Sequence, residues 1–107
     1  MAKSVDPQFG PFTALAQLRV EHPELPYLDW SVTASGFVHG AWFATDEDVR
    51  PLIEAYAVVL GGKPVPMPHS REGRRRQGFV LRAVWRDIHF DLWVSGPASA
   101  LVEAVSR

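Results

Sequence analysis

Hydrophobic and polar residues alternate along two pairs of short segments, and this alternation is the strongest signal in the chain. Apolar residues occupy every odd position from 79 to 85 and every even position from 88 to 94, with Arg86-Asp87 between the two runs. A period of two, in segments rich in aromatic and branched residues, predicts two strands. The short polar step between them predicts a β-hairpin with one face on a core.

A second hairpin is predicted between residues 28 and 43, where the same alternation is interrupted at Ser35-Gly36. Two registers compete. A three-residue loop with a left-handed Gly36 shifts the pairing by one residue and mixes polar with apolar side chains. We predict the two-residue loop at Ser35-Gly36, because it keeps the apolar set on one face. That set comprises Leu28, Trp30, Val32, Phe37, Ala41 and Phe43.

Apolar residues at helical spacing predict three helices. The first covers residues 11–22 and ends before Pro23, since a residue that precedes proline is pushed out of the helical region. The second covers residues 48–60, and Gly61-Gly62 supplies its C-terminal cap. The third begins at Pro97, a residue suited to a first helical turn.

Residues 61–78 show neither period. Proline stands at every second position from Pro64 to Pro68, which favours an extended, polyproline-like backbone. About 18 residues without a pattern is long for a connection inside a compact domain, and such loops are typically functional or disordered. We therefore expect a long Pro/Arg-rich loop at 61–78, and a flexible start at residues 1–10.

The two hairpin–helix units resemble each other. An offset of 51 residues pairs Trp42 with Trp93, and the following helices match at an offset of 49. This predicts a duplication with repeat units at about 28–60 and 79–106, although amphipathic units of this kind also look alike by chance. The expected fold is α+β, with the order α-ββ-α-ββ-α. A single domain over residues 1–107 would contain a four-stranded antiparallel sheet, with the helices packed on one face.

Charge and cysteine content exclude several kinds of function. The chain has 107 residues, a formal net charge of -1 and no cysteine. A near-neutral chain is not a general polyanion binder, and without thiols it can form neither disulfides nor thiolate metal sites.

No segment of the sequence has the roughly 20 apolar residues of a membrane span. We expect a cytoplasmic protein without membrane association.

On the predicted register, the sheet face turned away from the helices is too apolar to remain in water. The predicted interface consists of Trp42, Trp93, Val38, Val80, Val84, Arg82, His89 and Asp91. Across the second hairpin, Arg82 should lie opposite Asp91, and Val80 opposite Trp93. An apolar patch rimmed by charge marks an interface, most often that of a two-fold homodimer. The alternatives are a cover formed by the N-terminal segment or the long loop, and a small-molecule site.

Nucleic-acid binding is the alternative function. The chain has one basic cluster, formed by Lys63, Arg71, Arg74, Arg75 and Arg76. Clustered cations beside aromatic side chains suit the phosphates and bases of single strands. However, Glu72 interrupts the run, and the sequence has no helix-turn-helix or RNP motif.

No arrangement of histidines predicts catalysis or a metal site. His22, His39, His69 and His89 do not have the spacing that brings two imidazoles to one metal. His89 and Asp91 lie two residues apart on a strand and could form an acid–base pair, but a solvated polar pair is the simpler interpretation. We expect no cofactor and no enzyme activity. The sequence predicts a small non-catalytic interaction module that binds itself or another protein.

Overall fold

The computed structural model describes residues 8–98, which form two helices and one mixed six-stranded sheet. The elements are α1 (Phe9–Glu21), β1 (Asp29–Val32), β2 (Val38–Phe43), α2 (Arg50–Leu60), β3 (Val65–Pro66), β4 (His69–Arg71), β5 (Arg74–Trp85) and β6 (Ile88–Pro97). The predicted α+β class is confirmed. The predicted sheet of four antiparallel strands is replaced by a larger sheet with one parallel pair.

The strand order explains that parallel pair. The sheet runs β1-β2-β6-β5-β3, and β4 also pairs with β5. After β2, helix α2 carries the chain across one face of the sheet to β3 and β4 at its far edge, and β5 follows beside them. Strand β6 then returns as a hairpin and lies between β5 and β2. Strand β6 is antiparallel to β5, its hairpin partner, and parallel to β2, its neighbour on the other side.

Both helices in the described part of the chain form close to where local signals predict them, but α1 begins at Phe9, inside the segment 1–10 that was expected to be flexible. Helix α1 ends at Glu21, one residue before His22-Pro23. Helix α2 has Pro51 in its first turn and ends at Gly61, which has a φ of +86°. The predicted third helix falls mostly on residues 99–107, which lie outside the described residues, and Pro97 itself is the last residue of β6.

The core lies between the helices and one side of the sheet, here called the inner face. Its largest fully buried side chains are Tyr56, Phe90, Leu18, Leu28, Ile53, Leu81, Leu92, Val38, Val49 and Val94. Each such side chain contributes about 1.5–3 kcal/mol by leaving water. The hydroxyl of Tyr56 donates to the carbonyl of Pro26, and burial raises the pKa of Tyr56 to about 12.

The predicted register of the first hairpin is wrong by one residue. Val32 pairs with Val38 and Thr33 lies opposite Phe37, so the loop consists of the three residues 34–36 and not of two. Gly36 is left-handed at a φ of +97°, and the backbone N–H of Thr33 donates to the carbonyl of Phe37 at 2.8 Å. The hydroxyl of Thr33 also accepts from the N–H of Phe37 at 3.0 Å. These two bonds and the left-handed glycine stabilise the longer loop.

Close packing at Gly40 explains why this register is favourable. A β-carbon at Gly40 would lie 2.8 Å from Cζ3 of Trp30 and 2.9 Å from Cδ2 of Leu92. The indole of Trp30 therefore occupies the space that a side chain at Gly40 would fill. From there Trp30 makes edge contacts with Tyr56 and Phe90, at centroid distances of 5.8 and 6.5 Å. The shifted register thus places Trp30 against the core.

Residues 61–78 do not form a single long loop, so this prediction is also wrong. They contain β3, β4 and the start of β5, and a tight turn at Glu72-Gly73 joins β4 to β5. Both turn residues are left-handed, at φ values of +53° and +74°, as in a two-residue hairpin turn. Proline fits beside β5 because an edge strand can lack backbone donors.

The duplication predicted from the sequence is not confirmed. Strands β5 and β6 have 12 and 10 residues, whereas β1 and β2 have 4 and 6. The two loops also differ in length. The residues matched by the offset of 51 lie on different faces, because Trp42 is level with Val94 of the inner face and Trp93 is level with Ala41 of the opposite face.

Candidate functional site

The candidate site is the side of the sheet turned away from α1 and α2, here called the outer face. Its side chains come from five strands: Asp29, Ser31, His39, Ala41, Phe43, Val65, Val80, Arg82, Val84, His89, Asp91 and Trp93. The segment predicted as a long loop does not cover this face, because β3 and β4 extend the sheet at the edge of β5. Residues 1–7, the other predicted cover, lie outside the described residues.

Six of the eight predicted interface residues lie on the outer face, and two do not. Val38 is fully buried in the core, so we remove it from the candidate interface. Trp42 lies on the inner face, where its Nε1 donates to Oε1 of Glu47 at 3.0 Å and its ring meets that of Tyr27 edge-on. Both errors come from the register of the first hairpin, since a shift of one residue exchanges the faces of a strand.

An apolar row crosses the middle of the outer face. Ala41, Trp93, Val80 and Val65 lie side by side on four neighbouring strands. The predicted pairing of Val80 with Trp93 is confirmed. The indole of Trp93 also contacts the imidazole of His69, with 5.7 Å between the ring centroids.

A charged pair lies next to this row. Arg82 and Asp91 pair across β5 and β6 as predicted, with 3.7 Å between Nε and Oδ1. Their side chains are 81% and 41% exposed. An ion pair this open to water contributes little to stability, so both groups remain available to another partner.

A second apolar group follows at the end of the sheet, around a cleft of about 400 Å³. Phe37 and Val84 are exposed there, and the ring of Phe37 lies 5.2 Å from that of His89. His89 and Asp91 both line this cleft, but no hydrogen bond joins them within residues 8–98. A general base needs a partner that orients it, and within residues 8–98 no hydrogen bond holds the imidazole of His89, which lies beside Phe37, Val84 and Asp91.

The structure brings four of the five basic residues of the alternative site together. Arg71, Arg74, Arg75 and Arg76 all lie on the β4–β5 hairpin. Lys63 lies elsewhere: its neighbour Gly62 packs against the backbone of Arg82, eight residues along β5 from Arg74. At a rise of about 3.3 Å per residue this is a separation of about 26 Å. Lys63 therefore does not belong to the arginine cluster.

Arg76 is held in place although it is a cation in a buried position. Its Nε donates to Oγ of Ser95 at 2.9 Å, and its Nη2 donates to the carbonyl of Ala44 at 2.6 Å. His69 contacts the same Ser95 hydroxyl at 3.0 Å. Burial lowers the pKa of Arg76, and the charge of Arg71 lowers it further. Because Ser95 is fully buried, its contact with His69 positions Arg76 and does not expose a nucleophile.

Two of these arginines share one aromatic ring. The guanidinium carbon of Arg76 lies 3.7 Å from the centroid of Phe43, and that of Arg71 lies 4.5 Å from it. Sequence reasoning assigned these arginines to a loop, and so it could not connect them to Phe43, Ser95 or His69.

Comparisons with protein-family models, curated proteins and solved structures find no match to this chain. Among residues 8–98, no group of three or more histidine or acidic side chains could hold a metal ion. Neither helix in that range has the length and hydropathy needed to cross a bilayer.

Proposed function

We propose that this chain is a small non-catalytic interaction module that forms a two-fold homodimer through the outer face. The supporting observation is the apolar row through Trp93 and Val80, which is half-buried beside His69 and ends at Val65, whose side chain is exposed. Phe37 and Val84 extend it with apolar side chains that are 45% and 58% exposed. Sheets with such faces associate by packing them together, at a spacing of about 10 Å.

The charges on this face suit a second copy of the same chain. Arg82 and Asp91 lie between the two apolar groups and carry opposite charges. In a two-fold dimer each patch meets itself, so Arg82 of one protomer can pair with Asp91 of its partner, and the reverse. The pair would then be shielded from water by the apolar groups on either side, which strengthens it.

The same charges weigh against nucleic acid as the partner of the whole face. Asp29 and Asp91 project from it and would repel phosphates. Lys63 lies level with Arg82, which is six to eight residues along β5 from Arg76 and Arg74, or about 20–26 Å by the strand rise given above. We therefore place nucleic-acid binding second, and the Arg71–Arg76 hairpin is its remaining support.

Light scattering after size-exclusion chromatography tests the proposed dimer over a range of protein concentrations. We expect the wild type to have twice the mass of the chain. Trp93→Arg and Val84→Arg should be monomeric, because each places a charge in an apolar contact. Val58→Arg is the matched control, since Val58 is 86% exposed on α2, on the other side of the molecule. Far-ultraviolet circular dichroism checks that each variant is folded.

A wild-type protein that stays monomeric at every concentration contradicts the proposed dimer. So does a folded Val84→Arg variant with the same mass as the Val58→Arg control. Trp42, which the sequence placed on this face, is not used in the test because it lies on the inner face, where an arginine would disturb the core.

A further inference from the structure

The arginine cluster lies at the end of the outer face, beyond Trp93, and its arrangement differs from that of a solvated charge run. His69, Arg71, Arg74 and Arg76 share one side of the β4–β5 hairpin, because His69 pairs with Arg76 and Arg71 with Arg74. Arg75 is directed to the opposite side. The hairpin thus concentrates positive charge on the outer face at a place set by strand pairing.

Within residues 8–98, no carboxylate balances the two arginines on Phe43. Among residues 8–98, no aspartate or glutamate oxygen lies within 4 Å of Arg71 or Arg76. Arg76 is only 9% exposed. A buried cation without a counter-ion is unfavourable, and a second cation on the same ring adds repulsion. Phe43 compensates in part, because the faces of aromatic rings attract guanidinium groups.

The hydrogen bonds of Arg76 leave one part of the guanidinium available. Nε and Nη2 are occupied by Ser95 and Ala44. Nη1 makes no hydrogen bond within the described residues. Arg71 is exposed and offers its whole guanidinium fork from the other strand of the hairpin. The guanidinium groups of Arg71 and Arg76 are thus held near the ring of Phe43, and that of Arg76 is also fixed by hydrogen bonds. Together they form a preorganised set of N–H donors for an oxyanion.

We propose that Arg71 and Arg76, held on Phe43, form a binding site for a phosphate group. Phosphate fits better than a carboxylate for two reasons. A phosphate monoester carries close to two negative charges at neutral pH and can balance both arginines, whereas a carboxylate carries one. Its several oxygens can also accept from two guanidinium forks at once, whereas a carboxylate has only two oxygens to share between them. This site goes beyond the proposed dimer and does not depend on it.

Titration of the full chain with inorganic phosphate, at constant ionic strength set by chloride, tests the site. Nuclear magnetic resonance follows the Nε–H of Arg76, whose bond to Ser95 makes it a local reporter. We expect a saturable shift of this signal.

The Arg71→Gln variant should weaken phosphate binding about tenfold, because it loses one charge-assisted contact. Arg71 is exposed, so this variant should fold. Arg74→Gln is the matched control, because it removes the same charge from the same hairpin without touching Phe43, and should change affinity less than about threefold.

Two further probes identify the source of the phosphate. Phenyl phosphate that binds as well as inorganic phosphate, or more tightly, supports the site and assigns it to a phosphorylated organic molecule. A single-stranded oligonucleotide without terminal phosphate tests the nucleic-acid alternative. If the oligonucleotide binds and Arg71→Gln, Arg74→Gln and Arg75→Gln weaken it equally, the hairpin acts by diffuse electrostatics and the proposed site is wrong. The absence of any saturable shift with inorganic phosphate, or an equal loss in Arg71→Gln and Arg74→Gln, also overturns it.

Discussion

The two hairpins of this molecule show the same alternation in sequence, but their loops differ. Strands β5 and β6 are joined by Arg86-Asp87, and both residues are left-handed at φ values of +52° and +66°. Strands β1 and β2 are joined by residues 33–37, in which Thr33 is hydrogen-bonded to Phe37. Of the three residues between that pair only Gly36 is left-handed, at +97°. In the hairpin with the two-residue loop, each side chain of β5 and β6 lies on the face that alternation predicts. In the hairpin with the longer loop, the side chains of β2 lie on the face opposite to the predicted one.

This difference shows when the alternation of apolar and polar residues decides which side chains of a strand face the core, and when it does not. On β5 and β6 the two sets of positions are unequal, because one is uniformly apolar and the other contains Arg82, His89 and Asp91. On β2 both sets are apolar, with Val38 and Trp42 on one side and Ala41 and Phe43 on the other. Hydrophobicity therefore cannot choose between the two registers of the first hairpin. The fit of Trp30 over Gly40 makes that choice.

The largest expected effect comes from filling the space at Gly40. In the observed register the β-carbon of Gly40→Ala lies within 3 Å of Trp30 and Leu92. We expect a loss of roughly 1–3 kcal/mol in the free energy of unfolding, measured by urea denaturation. Ser31→Ala, on the exposed side of β1, is the control and should change stability by less than about 0.5 kcal/mol. A Gly40→Ala variant as stable as the control would favour the register with a two-residue loop.

The loops themselves give a second, smaller test of the comparison. Gly36→Ala should lower the free energy of unfolding by about 1–2 kcal/mol, because a side chain is unfavourable in the left-handed region. Asp87→Gly should raise it by roughly 0.5 kcal/mol, because glycine suits the second position of a two-residue hairpin turn. Thermal and urea unfolding measure both variants. Changes of the same sign would mean that backbone conformation does not distinguish the two loops.

The smallest expected effect concerns the ion pair that ties α1 to the second hairpin. Arg86 donates from Nη1 to Oε2 of Glu21 at 2.6 Å, and this bond lowers the pKa of Glu21 from 4.5. A carboxyl with a lowered pKa in the folded state stabilises the fold above its unfolded pKa, and that contribution is lost as the pH falls through the folded pKa. The unfolding free energies of the wild type and Glu21→Gln should therefore differ at pH 7 and converge below pH 4.5.

Glu54→Gln serves as the control for this pH dependence, since Glu54 is exposed on α2 and has no cation within 4 Å among the described residues. Its difference from the wild type should stay near zero at every pH. A difference for Glu21→Gln that is independent of pH would assign the effect to packing of the side chain and not to its charge.

Local signals predicted several features correctly for identifiable reasons. Proline and glycine bounded α1 and α2 because both residues act on the backbone within a few positions. The pairings of Arg82 with Asp91 and of Val80 with Trp93 followed from one turn and a period of two. The β4–β5 hairpin was missed because arginine and proline mask the alternation. Strands β3 and β4 are stabilised by pairing with β5 and not by apolar residues of their own in the core.

The candidate sites divide in the same way. Half of the outer face could be predicted, because six of its twelve residues come from the hairpin with the clear pattern. The cluster of Arg71, Arg76 and Phe43 could not, because it joins residues from β4, β5 and β2 across the intervening strand β6.

The amino-acid sequence alone determined the α+β class, the two described helices and the second hairpin, since each depends on residues a few positions apart. Only the tertiary structure decided the register of the first hairpin, the place of β6 beside β2, and the meeting of two arginines on one ring. These depend on contacts between distant segments, where the fit of side chains such as Trp30 over Gly40 has more influence than the pattern along the chain.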